Sequence, residues 1–231
     1  RRQRRTVADG SVAATSGVAV IVPVLGRPHH IAPLVESLAG TPEAHVVFGC
    51  SPGDIEVIAT IKDLGHDMFI VDGPKPGDYA RKINTGYRLT DEPHLFLGAS
   101  DIRFHDGWYT AATAEIEGRV GVVGTNDLGS RRVMAGNHST HSLVTRKYVD
   151  DLGTIDRAGQ VLHEEYPHEF VDDEFVQTAM HRNAFAFAFD SIVEHLHPAW
   201  GKAPTDALYE QTPLRMRQGR RIYRRRQHLW T

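Results

Sequence analysis

Residues 18–24 form an unbroken apolar run rich in β-branched side chains, closed by Gly26, Arg27 and Pro28. Such a run predicts a short strand buried on both faces. Behind it Ile31, Leu34, Val35 and Leu38 recur at helical spacing, with Pro28 tolerated in the first turn and Gly40 as a stop, so a helix is predicted over 28–38. The alternation continues, with strands over 46–50, 68–71, 94–97 and 120–123 and helices over 54–64, 79–89 and near 108–117. Strands alternating with helices of about ten residues predict right-handed crossovers and an α/β fold, with a mostly parallel sheet flanked by helices. Ligands of such sheets sit at the carboxyl ends of the strands, which here are residues 23–27, 50–54, 72–75 and 98–101. The second half is less regular: a strand at 142–144, a helix near 147–152, a helix at 173–181, and strands near 185–189 and 192–197. Residues 6–16 are small and polar, so 1–17 reads as a flexible basic segment, and 201–231 as a basic C-terminal extension.

Composition narrows the picture. A chain of 231 residues with 41% hydrophobic content can bury one substantial core. No stretch approaches the roughly 18 apolar residues of a membrane span, and the start is Arg-rich, so a soluble cytoplasmic protein is expected. The single cysteine, Cys50, cannot form an internal disulfide and reads as a small buried hydrophobe. The net charge of −3 conceals an asymmetry: arginines crowd both ends, and residues 6–214 carry a formal charge of about −14. An acidic body suits cation binding and argues against nucleic acid as a partner. The Arg-rich tail also holds Leu214, Met216, Ile222, Tyr223, Leu229 and Trp230. Three uses suit it: peripheral contact with an anionic membrane or a lipid phosphate, packing on the body, or contact in a homo-oligomer.

Three segments carry candidate chemistry. In LFLGASDIRFHDGW, residues 95–108, an apolar strand runs into Gly98, Ala99 and Ser100 and then places Asp101 just past its end, where a carboxylate reaches a ligand over the sheet edge or serves as a turn. In HEFVDDEFVQTAMHRN, residues 168–183, Asp172, Asp173 and Glu174 crowd the first turn of a helix. Three acids exceed what a cap needs, and one at a cleft mouth can act as a general base. In SIVEHLHP, residues 191–198, His195 and His197 fall on one face of a strand, a pair able to bind a metal or a pyrophosphate. His138, His141, His163 and His168 read as loop or acceptor-cleft residues.

In order, VAVIVPVLGRP, ARKINTG, LFLGASD, SLVTRKYVDDLGTID, VDDEF and HLH resemble the successive blocks of family 2 glycosyltransferases of the GT-A fold, over residues 18–200. The resemblance implies a Rossmann-like nucleotide-sugar half, 18–101, and a smaller mixed acceptor half, 102–200. It implies transfer of a sugar, with inversion, from a nucleoside-diphosphate donor, UDP-linked by first expectation, to an acceptor hydroxyl on a glycan, protein or lipid. Asp101 takes the place of the final Asp of the family's Asp-x-Asp motif, and His195 or His197 that of its metal- or phosphate-binding His. Together they would hold Mn²⁺ or Mg²⁺, an imidazole ligand favouring Mn²⁺. Pro23, Leu25, Arg27, Asp72, Lys82, Asn84 and Ser100 match donor-binding positions. Asp172 matches the catalytic base, with Asp173 as competitor, and Trp108 and Glu174 fall on the acceptor side. Ala99 replaces the motif's first acid, and Gly49 and Cys50 stand where acids are common. A sugar-phosphate nucleotidyltransferase would want a richer glycine loop than VLGRPHH. A non-catalytic binding module of the same fold is the other alternative.

Overall fold

The structure is a computed structural model that describes residues 17–72 and 78–230. All but Gly17 of the N-terminal segment, and residues 73–75 of the third strand end, lie outside the described residues. The first half runs β1 (Val18–Pro23), α1 (Ile31–Ser37), β2 (Ala44–Cys50), α2 (Ile55–Asp63), β3 (Asp67–Ile70), α3 (Asp78–Leu89) and β4 (His94–Leu97). The second runs β5 (Ile102–Phe104), α4 (Trp108–Ala114), β6 (Val122–Asn126), α5 (Arg131–Met134), β7 (Ser142–Thr145), α6 (Arg146–Asp151), α7 (Val171–His181) and β8 (Phe185–His195). Two further helices, α8 (Ala207–Glu210) and α9 (Thr212–Arg226), follow.

The strands form one eight-stranded sheet in the order β3-β2-β1-β4-β7-β6-β8-β5. From β3 to β4 every pairing is parallel, whereas β4–β7, β7–β6 and β8–β5 are antiparallel. The β6–β8 pairing is parallel, so the donor half is parallel throughout and the second half is mixed. Both faces of β1 are covered: Val18, Val20, Val22 and Val24 pack with α1, α2 and α4, while Ala19 and Ile21 pack with α3, α6 and α7. Burial on both sides is why the run is apolar at every position and not alternating.

Residues 185–197, predicted as two strands, are one strand to His195 with a bulge. Its first part pairs with β6 up to Thr125↔Ala188, the next pair is Asn126↔Ile192, and Val193 to His195 pair with β5. The extra residues re-aim the strand and place His195 beside the β4 end. His197 lies past the strand and leads into a short 3-10 turn. Cys50 is fully buried, and burial pushes its thiol up to about 11. No helix among the described residues is long and apolar enough to cross a membrane.

The C-terminal residues pack onto the body. Ile222 enters the core with Val171 and Phe175 of α7, and Gly219 allows close approach, since a Cβ there would stand 2.2 Å from the Glu169 carbonyl oxygen. Arg226 is buried, with Nε 2.8 Å from Glu174 Oε2 and Nη2 3.0 Å from Asp156 Oδ1.

Candidate active site

A cavity of about 380 Å³ opens at the carboxyl ends of β1 and β4, where the sheet topology places ligands. Its donor-side wall begins with the loop after β1. Gly26 and Arg27 both adopt left-handed backbone, φ 62° and 60°, which an arginine rarely does without support. Asp54 supplies that support by accepting the Gly26 N–H at 2.6 Å. The curl brings Arg27 Nη1 to 3.0 Å from Asp101 Oδ2.

Asp101 is held from several directions. Its carbonyl accepts the Leu196 N–H at 2.8 Å, tying the β4 end to the β8 end. His195 Nε2 lies 3.7 Å from its Oδ2, and the Tyr209 hydroxyl donates to the same oxygen. Burial alone would raise the Asp101 carboxyl, but the His195 and Tyr209 contacts and the Arg27 charge outweigh it and hold the group far below the usual carboxylate range. Asp101 is therefore an anion at neutral pH. His197 stacks edge to face on His195, ring centroids 5.1 Å apart, and its Nδ1 accepts the Ala199 N–H. His141 joins the group from the other side, 5.0 Å from His195 by ring centroids. Burial pulls its imidazole down to about 4, so it stays neutral.

Lys82 lies on the cavity wall yet is only 1% exposed. Its Nζ donates to Val24 O at 2.7 Å and Ser51 Oγ at 2.9 Å and pairs with Asp78 Oδ2 at 2.8 Å. These take all three N–H donors of the ammonium, so Lys82 shapes the loop and contributes charge but has no donor left for a ligand. Gly49 explains one missing acid: a Cβ there would meet the Phe69 ring at 2.9 Å and Lys82 Cβ at 3.0 Å.

The acceptor-side wall is the start of α7. Phe170, at φ 70°, turns the chain into the helix and sets Asp172 on the cavity. His138 Nε2 lies 3.2 Å from Asp172 Oδ2, while Arg132 Nη1 lies 2.5 Å from Asp173 Oδ1. Burial would raise Asp172, but the His138 contact outweighs it and lowers the group; burial and the Asp172 charge push Asp173 up. Asp172 is thus the ionised acid that faces the cavity, partnered by an imidazole. Among the described residues, His138, Asp172 and Asp173 are the set whose donor atoms all lie within 4.8 Å of one another, close enough for one metal ion.

Pro23, Leu25, Arg27, Lys82, Ser100, Asp101, Asp172, His195 and His197 thus line one cavity. Five expected residues do not. Asp72 is exposed at the end of β3, its carbonyl taken by Arg81. Asn84 is fully buried and pins the loop at 161–164, donating to Leu162 O and Glu164 Oε1 and accepting the N–H groups of Val161 and Leu162. Trp108 is fully buried, its indole N–H donated to Thr41 Oγ1 at 3.0 Å. Asp173 turns to Arg132, and Glu174 is buried against Arg226 and Tyr166. Conversely, the cavity includes Tyr209 and Arg215 from the C-terminal extension, and His141. Only the pairing of His138 with His141 hinted at the last, and no single spacing marks the others.

No protein-family model matches the chain, and no curated protein matches it. Solved structures do. A mannosyltransferase from Pyrobaculum calidifontis, in complex with GDP-mannose and Mn²⁺, superposes at TM-score 0.62 with 14% identity, covering 86% of this chain and 60% of that one. S. aureus TarS, residues 1–349, gives 0.56 with 15% identity over 77% of this chain and 59% of its own. Glucosyl-3-phosphoglycerate synthase from Mycobacterium tuberculosis, in complex with Mn²⁺ and UDP-glucose, gives 0.53 with 15% identity over 87% and 78%. The chain thus spans about 60% of the length of the first two. Its fold is the GT-A fold of these glycosyltransferases.

Proposed function

We propose that the chain is a glycosyltransferase that moves a sugar from a nucleoside-diphosphate donor to an acceptor hydroxyl with inversion. The observation that carries this reading is that Asp101 and Asp172, both anionic and held by separate elements, open on one cavity at the strand ends of a GT-A sheet. It is supported by the similar structures, which hold GDP-mannose or UDP-glucose together with Mn²⁺.

The roles follow from position. Asp172 accepts the acceptor proton as its oxygen attacks the anomeric carbon, and His138 keeps that carboxylate oriented and ionised. The bond from the anomeric carbon to the diphosphate oxygen breaks, its electron pair leaving with the nucleoside diphosphate; a single displacement of this kind inverts the centre. Arg27, on the cavity wall and held there by Asp206 and Asp101, supplies a positive charge to the donor side.

The donor side fits a divalent cation: Asp101 offers a carboxylate, and His195 Nε2 lies 3.7 Å from its Oδ2. When bound, the cation would neutralise charge developing on the diphosphate. Asp101 Oδ2 must then exchange the Tyr209 hydroxyl and Arg27 for it.

A panel of UDP-, GDP- and other nucleotide-sugars, incubated with Mn²⁺ and separately with EDTA, tests the proposal. Release of nucleoside diphosphate that EDTA abolishes is the expected result. Binding of nucleotide-sugars without turnover of any would replace the enzyme with a non-catalytic module.

A further inference from the structure

Helix α9 turns one stripe inward: Gly219, Ile222 and Arg226, at i, i+3 and i+7, are buried against the body. The opposite stripe carries Arg217, Arg221 and Arg224, at i, i+4 and i+7, all exposed, with Arg220 and Arg225 on its flanks. The chain has no acid after Glu210, so the helix offers these arginines no i, i+4 partner of its own. Arg225 is paired with Glu165, and Arg220 lies 5.8 Å over the Phe170 ring. Arg217, Arg221 and Arg224 make no ion pair or hydrogen bond among the described residues. Leu214 is exposed at the head of the same face.

We propose that this face of α9 docks the protein on an anionic membrane surface, the arginines meeting lipid phosphates and Leu214 entering the boundary between headgroups and acyl chains. A cluster of about four to eight basic residues on one helix is the usual basis for binding acidic lipids, and the guanidinium fork matches phosphate oxygens. Like charges at i, i+4 destabilise a helix. The docked inner stripe bears that cost, and a surface of phosphates removes it.

Two other partners fit the face less well. A second copy of the chain, joined by a two-fold axis through α9, would set the arginine stripe against itself. Nucleic acid presents the same phosphates, and Leu214 decides between the two: an exposed leucine has a place in a lipid interface and none against a sugar-phosphate backbone. The inference stands apart from the glycosyltransferase reading. Because Thr212 and Arg215 of the first turn of α9 line the cavity, docking through this helix holds the cavity close to the lipid.

Co-sedimentation of the full chain with vesicles tests the proposal. Phosphatidylcholine vesicles holding about 30% phosphatidylglycerol should bind it, and pure phosphatidylcholine should not. Raising the salt from about 0.1 M to about 0.5 M should release it, because the attraction between arginine and phosphate is screened. Each arginine near the surface gives about a fivefold gain in partitioning, so the triple variant Arg217→Gln/Arg221→Gln/Arg224→Gln should bind about a hundredfold more weakly. Leu214→Ser should bind several-fold more weakly. None of these four side chains lines the cavity, so the variants should keep wild-type circular dichroism and, without vesicles, wild-type turnover of nucleotide-sugar. Absence of binding to the acidic vesicles, equal binding to both kinds, or binding that the triple variant retains overturns the proposal. So does a gel shift with RNA or duplex DNA, lost in the triple variant, from a protein that ignores the vesicles. Vesicle binding without turnover of any nucleotide-sugar removes the glycosyltransferase reading alone.

Discussion

Asp206 grips Arg27 with both carboxylate oxygens, Oδ2 accepting from Nε at 2.6 Å and Oδ1 from Nη2 at 3.0 Å. Because Arg27 also reaches Asp101 and stacks on the Tyr209 ring at 4.3 Å, the grip straps the segment before α8 across the donor carboxylate. Asp206 also caps α8, accepting the Leu208 and Tyr209 N–H groups. Asp206→Ala removes a helix cap and a half-exposed charged contact, together about 1–2 kcal/mol. Limited proteolysis within residues 201–212 should accelerate by about tenfold. An unchanged cleavage rate would mean that the strap is held by something else.

Arg226 ties the end of α9 to Glu174 and Asp156, and Glu174 also accepts the Tyr166 hydroxyl at 2.7 Å. Truncation of one member of a buried pair leaves the other charge uncompensated, so Arg226→Met should cost roughly 3–5 kcal/mol in urea unfolding. Adding Glu174→Gln should recover part of that loss, a coupling that a double-mutant cycle reads directly. Simple additivity of the two would show that they do not act as a pair.

Two of the three positions that lack the expected acids respond differently to restoration. Gly49→Asp forces a Cβ against Phe69 and Lys82 and should lose about 1–3 kcal/mol of stability with no gain in nucleotide affinity. Ala99 faces the cavity and is not fully buried, so Ala99→Asp should fold normally and tighten Mn²⁺ binding several-fold. Equal melting temperatures for the two variants would refute the packing explanation for Gly49.

Stability should fall in mild acid because of His141. Its folded-state pKa is lowered to about 4 from 6.5, so between these values the unfolded chain binds more protons and stability rises with pH. That contribution is complete above pH 6.5 and is lost as pH falls to about 4, by roughly 3 kcal/mol in all. Urea midpoints from pH 7.5 to 4 should show the decline, and His141→Gln should reduce its slope, the rest coming from groups such as His168, whose imidazole burial also pulls down to about 4. An equal slope in the variant assigns the decline to other groups.

Much of this fold was legible because β1 is apolar at every position and α1 to α3 keep helical spacing, which are local signals. The bulge in β8 read as a break because Asp190 and Ser191 interrupt the apolar pattern, and no local feature shows that β6 and β5 recruit the two parts to one strand. Helix α9 read equally as a membrane contact, a segment packed on the body or an oligomer contact, because only a thin apolar stripe runs along it; its docking on the body depends on Gly219 and on an arginine that meets acids far away in sequence. At the site, Asp101, Asp172 and His195 were found from strand ends and helix starts. Asn84, Trp108 and Glu174 are polar or aromatic residues in the right neighbourhood whose partners turn them inward. Such partners are tertiary, so spacing does not separate them from ligand-facing residues. His141 was read only as a loop or acceptor-cleft residue; the Leu97 carbonyl that holds its ring on the cavity wall is a tertiary partner too.

The most direct measurement is sugar transfer by Asp172→Asn beside nucleotide affinity of the same variant. The account expects kcat to fall by at least about a hundredfold, the usual range for a lost general base, with nucleotide and Mn²⁺ affinity within twofold of wild type, because Asp172 acts on the acceptor alone. Undiminished transfer by Asp172→Asn, in a protein that still binds donor, would contradict the assignment of this cavity as an active site built around Asp101 and Asp172.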